Sequence, residues 1–332
     1  MKIRLFCTIL LSKIMIYFLR VIKRGGTSLP GKIANKLYPG VLKDIAANFY
    51  IVMVTGTNGK TTTSRIIEQI LKEAEISYIA NKSGANLISG ITTTFLQSVN
   101  LFGRSSVSTA LIEIDEAAFK GITDLIEPNI LIVTNFFRDQ LDRYGELYTT
   151  LKGVALGISK TKKTRLILNA DDSLCVSLGR DSKRSVIYYG FAPDAYPNAK
   201  TADNSDASYC LYCKTKYRYT YKVYGHLGGF FCPSCGYRKP QPGIICTHVD
   251  ALTSSHSVIQ FKVSQSDLTS FNNQQNVYHA RINLPGLYNI YNSLAAISCG
   301  VSLGVPMDKI LKALASFKHG FGRMETIKVG EK

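Results

Sequence analysis

Six consecutive residues, Gly56-Thr57-Asn58-Gly59-Lys60-Thr61, have the composition of a phosphate cradle. Two glycines let backbone N–H groups turn inward toward one anion, and a following helix adds its positive end. Lys60 can then reach β and γ phosphates, while Thr61 can offer its hydroxyl to Mg²⁺. The widespread form of this loop is G-x-x-x-x-G-K-[ST]. Here Val54 stands at the first glycine position, and the shorter Thr-Gly-Thr-Asn-Gly-Lys-Thr remains. The candidate ATP-binding residues are therefore Thr55, Gly56, Thr57, Asn58, Gly59, Lys60, Thr61 and Thr62.

Other polar residues stand where apolar runs stop. Glu113 ends the run Leu111-Ile112 and suits a Mg²⁺ ligand, direct or through water; Asp115 and Glu116 are alternatives, or caps of the next helix. Thr134 and Asn135 follow a second run and lead into Phe136 to Arg143, a polar stretch suited to a catalytic cleft, although Asp139 could merely cap a helix. Asn289 and Asn292 lie one helical turn apart, and their carboxamides could read an adenine or ribose edge; capping by Asn289 alone is the plainer reading. Arg323, between Gly322 and Met324, is placed to reach a phosphate or is simply a linker arginine. Lys60, Glu113, Asn135 and Arg323 are the candidate catalytic residues.

Four cysteines have a different signature. Cys210 and Cys213, then 18 residues, then Cys232 and Cys235 form two C-x₂-C pairs. Four thiolates at this spacing suit tetrahedral Zn²⁺ in a closed structural site, with no position left for water. A redox pair and an iron–sulfur centre are the rivals. His226 and His248 are spare. The aromatic residues around the pairs could stack on bases, or pack a core too small to stand alone.

These groups need elements to position them. Residues 50–55 read as a buried parallel strand, followed by the loop and a helix from Thr62 to Leu71. Further strands are expected over 108–114, 129–134, 166–169 and 186–189, with helix-compatible stretches over 116–126 and 141–158 between them. Alternating strands and helices imply an α/β fold with a mostly parallel, doubly wound sheet, whose ligands gather at the C-terminal strand ends. The loop, Glu113 and Asn135 all fall there. Residues 201–245 interrupt this pattern as an inserted four-cysteine ribbon. Residues 256–282 alternate like antiparallel strands, helices follow over 294–303 and 307–317, and a strand begins at Met324. The organisation expected is a basic lead-in segment (1–48), a central domain (49–318) containing the ribbon, and the start of a truncated C-terminal domain (319–332).

The chain has 332 residues and a formal charge of +17, from 40 Lys plus Arg against 23 Asp plus Glu. Residues 1–43 hold nine basic side chains and no acidic one. Such a balance fits a basic surface, attraction to lipid phosphate, or nucleic acid; no base-reading motif accompanies it. Arg4, Lys13 and Arg20 interrupt the apolar stretch 3–22, so neither a spanning helix nor a signal peptide is expected. An amphipathic helix fits, with Leu11, Ile14, Met15, Phe18, Leu19 and Ile22 on its apolar face, lying against the protein body or on an anionic membrane.

Together, the loop, Leu111-Ile112-Glu113, Asn135, Asp139-Gln140-Leu141-Asp142-Arg143, Gly286 with Asn289 and Asn292, and Gly322-Arg323-Met324-Glu325 resemble a Mur ligase over nearly the whole chain. That resemblance implies a P-loop ATPase domain that activates a carboxylate as an acyl phosphate, which an amine then attacks. It implies that Lys60 and Thr61 hold phosphates and Mg²⁺, that Glu113 belongs to the metal site, that Asn289 and Asn292 lie against the base, and that Arg323 meets the phosphates on domain closure. Gln140 stands where many members have a second-metal histidine, and Tyr288 where many have a histidine. The ribbon and the Asp139–Arg143 wording narrow the resemblance to the branch that amidates the α-carboxylate of D-glutamate in lipid II, at the cytoplasmic face of the membrane. There a separate glutaminase subunit supplies ammonia within a heterodimer. No cysteine here has the surroundings of a glutamine-hydrolysing nucleophile. The readings left open are another Mur-like amino-acid ligase (of UDP-MurNAc-peptide or folylpolyglutamate type), a nucleic-acid-binding zinc NTPase, and an inactive ATP-binding fragment.

Overall fold

The computed structural model describes residues 3–21, 28–81, 84–138, 146–197, 207–263 and 277–318. Three helices, α1 (Ile3–Val21), α2 (Leu29–Leu37) and α3 (Val41–Ala46), precede β1 (Tyr50–Thr55). Alternation follows: α4 (Lys60–Glu73), β2 (Tyr78–Ala80), α5 (Ile88–Ser98), β3 (Thr109–Glu113), α6 (Glu116–Ile122), β4 (Ile130–Val133), α7 (Glu146–Lys160), β5 (Arg165–Asn169), α8 (Ser173–Arg180) and β6 (Val186–Phe191). A hairpin, β7 (Arg218–Tyr224) and β8 (Leu227–Phe231), forms its own two-stranded sheet. The chain then returns through β9 (Ile244–Leu252), β10 (Ser257–Val263), β11 (Val277–Ile282), α9 (Leu287–Ser302) and α10 (Met307–Ser316).

The nine-stranded sheet has the order β11-β10-β9-β6-β5-β4-β1-β3-β2. All pairings from β2 to β9 are parallel, and β10 and β11 add antiparallel strands at one edge. Strand β1 shows why the fold is doubly wound. Val52 and Val54 enter one core with α4, α9 and α10, while Ile51 and Met53 enter the other with the helices of the opposite face. All four are at most 3% exposed, and burying each contributes about 1.5–3 kcal/mol. A strand covered on both faces reads as a continuous apolar run, as this one does. Order reverses around β1, which lies between β3 and β4, so a crevice opens at the C-terminal ends of these three strands.

Two expectations are corrected. Helix α4 begins at Lys60, two residues earlier than its apolar side implied, because the loop delivers the chain directly into the helix. Helix α9 begins at Leu287 rather than 294. Gly286, at φ +91°, is its N-cap, so both asparagines sit inside the first turns. Of the two placements left open for α1, the body is met by Thr8, Ile9, Ser12 and Ile16, while Leu11, Ile14 and Phe18 face outward. The strand expected at Met324 lies outside the described residues.

Candidate nucleotide site and cysteine centre

The loop between β1 and α4 is shaped by close approach. Gly56 has φ +123°, and a Cβ there would lie 2.3 Å from Thr134 Oγ1 and 2.9 Å from the Thr134 nitrogen. Gly59 has φ +85°, and a Cβ would come within 2.1 Å of Asn292 Oδ1. Only glycine satisfies both the backbone angle and the space. Helix α4 has no side-chain cap, so the backbone N–H groups of its first turn remain available to an anion.

Asparagine 135 holds the loop from behind. Its Oδ1 accepts from the Asn58 amide at 3.0 Å, and its Nδ2 donates to the Asn58 carbonyl at 3.0 Å. Thr134 Oγ1 donates to the same carbonyl at 2.7 Å, and the Thr57 amide donates to the Asn135 carbonyl at 2.9 Å. Glu113 is fixed by the same device. Asn81 accepts from the Glu113 amide at 2.9 Å and donates to its carbonyl at 2.8 Å. In each case one carboxamide grips both backbone groups of one residue. Asn81 was not among the residues singled out from sequence, because nothing local marks it.

The charged groups meet at the mouth of the crevice. Thr61 Oγ1 donates to Glu113 Oε1 at 3.0 Å, which places two hard oxygen donors together. That donor set fits Mg²⁺. Lys60 Nζ donates to the Gly56 carbonyl at 2.5 Å and the Thr57 carbonyl at 3.3 Å, and pairs with Glu116 at 3.0 Å. Asp115 caps α6 by accepting from the Ala117 amide. Thr55 is buried at the end of β1, and Thr62 follows half-buried on α4.

The asparagines of α9 reach the loop too. Asn292 Nδ2 donates to Asn289 Oδ1 at 3.1 Å, Asn289 Nδ2 donates to the Pro285 carbonyl at 2.7 Å, and Thr63 Oγ1 donates to Asn292 Oδ1 at 3.4 Å. Both side chains are at most 4% exposed. Arg323 and Asp139 to Arg143 lie outside the described residues.

The cysteines converge. The four Sγ atoms lie within 4.8 Å of one another, with Cys210 to Cys235 at 3.5 Å and Cys213 to Cys232 at 3.3 Å. A tetrahedral site with bonds of about 2.3 Å needs sulfurs about 3.8 Å apart, so the cluster could hold a metal ion. Its two halves are the same turn. The Cys210 amide donates to the Thr215 carbonyl, and the Lys214 amide returns to the Cys210 carbonyl; Cys232, Tyr237 and Gly236 repeat this. The residue after each second cysteine is left-handed, Lys214 at φ +62° and Gly236 at φ +73°. Thr215 Oγ1 lies 3.4 Å from Cys213 Sγ. Neither His226 nor His248 belongs to the cluster.

The ribbon is bolted to the sheet through Asp171, a fully buried carboxylate. Lys239 forms an ion pair with it, Tyr291 donates to it at 2.8 Å, and the Phe191 amide donates at 2.9 Å. Burial, then the neighbouring Asp171 charge, raises the Tyr291 pKa well above the phenol range, so it remains a donor. The next residue, Asp172, caps α8 and accepts from the Phe136 amide at 2.8 Å. The hairpin tip reaches the crevice, where His226 and Tyr224 lie 4.6 and 5.8 Å from the Phe137 ring. The Asp171-Asp172 pair after an apolar strand was the available sequence signal for this cluster.

Comparison with known proteins places this geometry. Residues 54–227 match the family model described as Mur ligase middle domain. The MurT subunit of the glutamine-hydrolysing lipid II isoglutaminyl synthase of Streptococcus pneumoniae is 34% identical over 307 residues. That alignment covers 92% of this chain, which spans 65% of the relative's length. Among solved structures, a pseudomurein peptide ligase type C from Methanothermus fervidus is similar with a TM-score of 0.63 and 24% identity, covering 86% of this chain and 53% of that one. The MurF ligase from Thermotoga maritima in complex with ADP has a TM-score of 0.58 and 15% identity, covering 89% and 54%.

Proposed function

The chain belongs to the Mur ligase family, and from that premise we propose that it is the ATP-using, carboxylate-activating part of a lipid II isoglutaminyl synthase. The observation that carries the proposal is the similarity to a MurT subunit across 92% of the chain, spanning both the loop and the cysteine ribbon. It is a carbon–nitrogen ligase with glutamine as amido donor. Its partner is a GatD-like glutaminase subunit in a heterodimer, and it works in the cytoplasm at the inner face of the membrane that holds lipid II. Zn²⁺ on Cys210, Cys213, Cys232 and Cys235 is structural.

The reaction follows from the charges. Ammonia cannot displace oxide from a carboxylate, so a carboxylate oxygen of D-glutamate in the stem peptide first takes the γ-phosphoryl group of ATP. Ammonia attacks the resulting acyl phosphate, the carbon–oxygen bond to phosphate breaks, and the amide, ADP and phosphate leave. The amides at the start of α4 cradle the phosphates, and Lys60 turns from Glu116 to the β and γ oxygens, where its charge offsets what develops in transfer. Mg²⁺ held by Thr61 and Glu113 would neutralise further charge on those oxygens. Asn135 keeps the loop amides aimed, and Asn289 and Asn292 back the base side. Arg323, beyond the described residues, is assigned to the phosphates.

The test is glutamine- and ATP-dependent amidation of lipid II by the chain with its glutaminase partner. Lys60→Ala is expected to lower the rate by about a hundredfold or more. An unchanged rate would remove Lys60 from the mechanism, and an absolute requirement for an added amino acid in place of ammonia would point to a different Mur-like ligase.

A further inference from the structure

Helix α1 is apolar around most of its girth, yet much of that surface is left in water. Its inward face carries Thr8 and Ser12, both 2% exposed, whose hydroxyls donate back to the Arg4 and Thr8 carbonyls at 2.8 and 2.7 Å. Ile9 and Ile16 are the buried apolar side chains of that face, and Leu5 packs half-buried against the same core. The outward face carries the large apolar side chains. Ile3 is 81% exposed, Leu11 50%, Phe18 61% and Val21 61%, and Leu10, Ile14 and Tyr17 lie between them. At 3.6 residues per turn, these outward side chains fall within an arc of about 120° along all five turns of the helix. Such a stripe costs free energy in water and marks an interaction surface.

The charges around the stripe select what covers it. Arg4 borders one edge of the arc, held by the Leu37 carbonyl at 2.8 Å, and Lys13 and Arg20 border the other. No acidic side chain occurs among residues 1–43, whereas nine basic ones do. No helix among the described residues is long and apolar enough to cross a membrane. A single apolar stripe flanked on both sides by cations matches a helix lying in the plane of an anionic lipid surface, with its apolar face in the acyl boundary and its cations at the headgroups.

We propose that the outward face of α1 docks the protein flat onto an anionic phospholipid bilayer. This inference is independent of the ligase reading, because docking requires neither ATP nor the loop. The experiment is vesicle flotation of the full 332-residue chain, without nucleotide, using phosphatidylcholine alone or mixed with phosphatidylglycerol. The chain is expected to float with the mixed vesicles, and about tenfold less with phosphatidylcholine alone or in high salt. The triple variant Leu11→Ser, Ile14→Ser, Phe18→Ser is expected to lose flotation by about tenfold or more, with an unchanged melting temperature because these side chains touch solvent. Lys13→Glu with Arg20→Glu is expected to remove the salt-sensitive part of binding. Equal flotation of the triple variant overturns the proposal, as does a native chain that ignores both vesicle types. A native chain that ignores vesicles but dimerises through the stripe in size-exclusion chromatography assigns the face to a second copy instead.

Discussion

The phosphate loop and the cysteine ribbon are both made of tight turns with left-handed residues, yet they are supported in opposite ways. The loop borrows its rigidity. Asn135 and Thr134 grip Asn58 from behind, and β1 beneath it is buried in a nine-stranded sheet. Its charged face is left open to the crevice, as the proposed binding and release of a phosphate requires. The ribbon is organised around its four thiols. Its two knuckles repeat one hydrogen-bond pattern, and its small core consists of Cys210, Tyr217, Phe230, Cys232 and Tyr237 packed on Val176 of α8. A cluster that small does not hold a fold without a cross-link. The difference teaches where each site is vulnerable: the loop through its neighbours, the ribbon through its centre.

On the proposal that the four cysteines hold zinc, removing the metal should have the largest effect and remain local. A chain purified without chelator is expected to carry a stoichiometric equivalent of zinc. Extracting it, or substituting Cys232→Ser, withdraws binding free energy on the order of 10 kcal/mol from the ribbon. The expected outcome is rapid proteolysis within 207–243 while far-UV circular dichroism from the sheet and helices persists. A stripped ribbon that stays protease-resistant would show that it does not depend on its centre.

The bolt between the two regions comes next. Lys239→Met leaves the Asp171 carboxylate fully buried with only neutral donors, which should cost about 3–5 kcal/mol in urea unfolding. Adding Asp171→Asn to Lys239→Met should recover much of that loss, because the uncompensated charge is gone. If the double variant is as unstable as the single one, lost packing rather than a stranded charge is responsible.

What the sequence made legible follows the same division. The loop and the four cysteines were readable because their chemistry depends on spacing along the chain. Strand β1 was readable because burial on both faces leaves an uninterrupted apolar run. The supports were not. Asn81 grips Glu113 across the gap between two parallel strands, and Lys239 reaches Asp171 from within the ribbon, 68 residues further along the chain. Neither pairing has a local signature, since only the folded sheet brings the partners together. The start of α9 was misplaced because Asn289 and Asn292 have the chemistry of caps, while the cap itself is the glycine before Leu287. Periodicity showed that α1 has two faces but not which one packs, because both contain apolar residues.

The smallest predicted effect is the sharpest on how the loop works. The Asn135 carboxamide uses its oxygen and one of its two N–H donors on Asn58, which fits a side chain that aims the loop. Asn135→Ala removes two hydrogen bonds, but Asn58 is exposed and its carbonyl keeps Thr134, so water can replace what is lost. Global stability should fall by only about 1 kcal/mol. The loop amides would then sample more directions, and their cost of ordering would be met on each binding event. The expected signature is a rise of about tenfold in KM for ATP with kcat changed much less. Steady-state kinetics of the amidation, beside calorimetric ATP binding, separates the cases. A kcat that collapses with KM unchanged would mean that Asn135 meets the substrate in the transition state and that the loop is not held from behind as described.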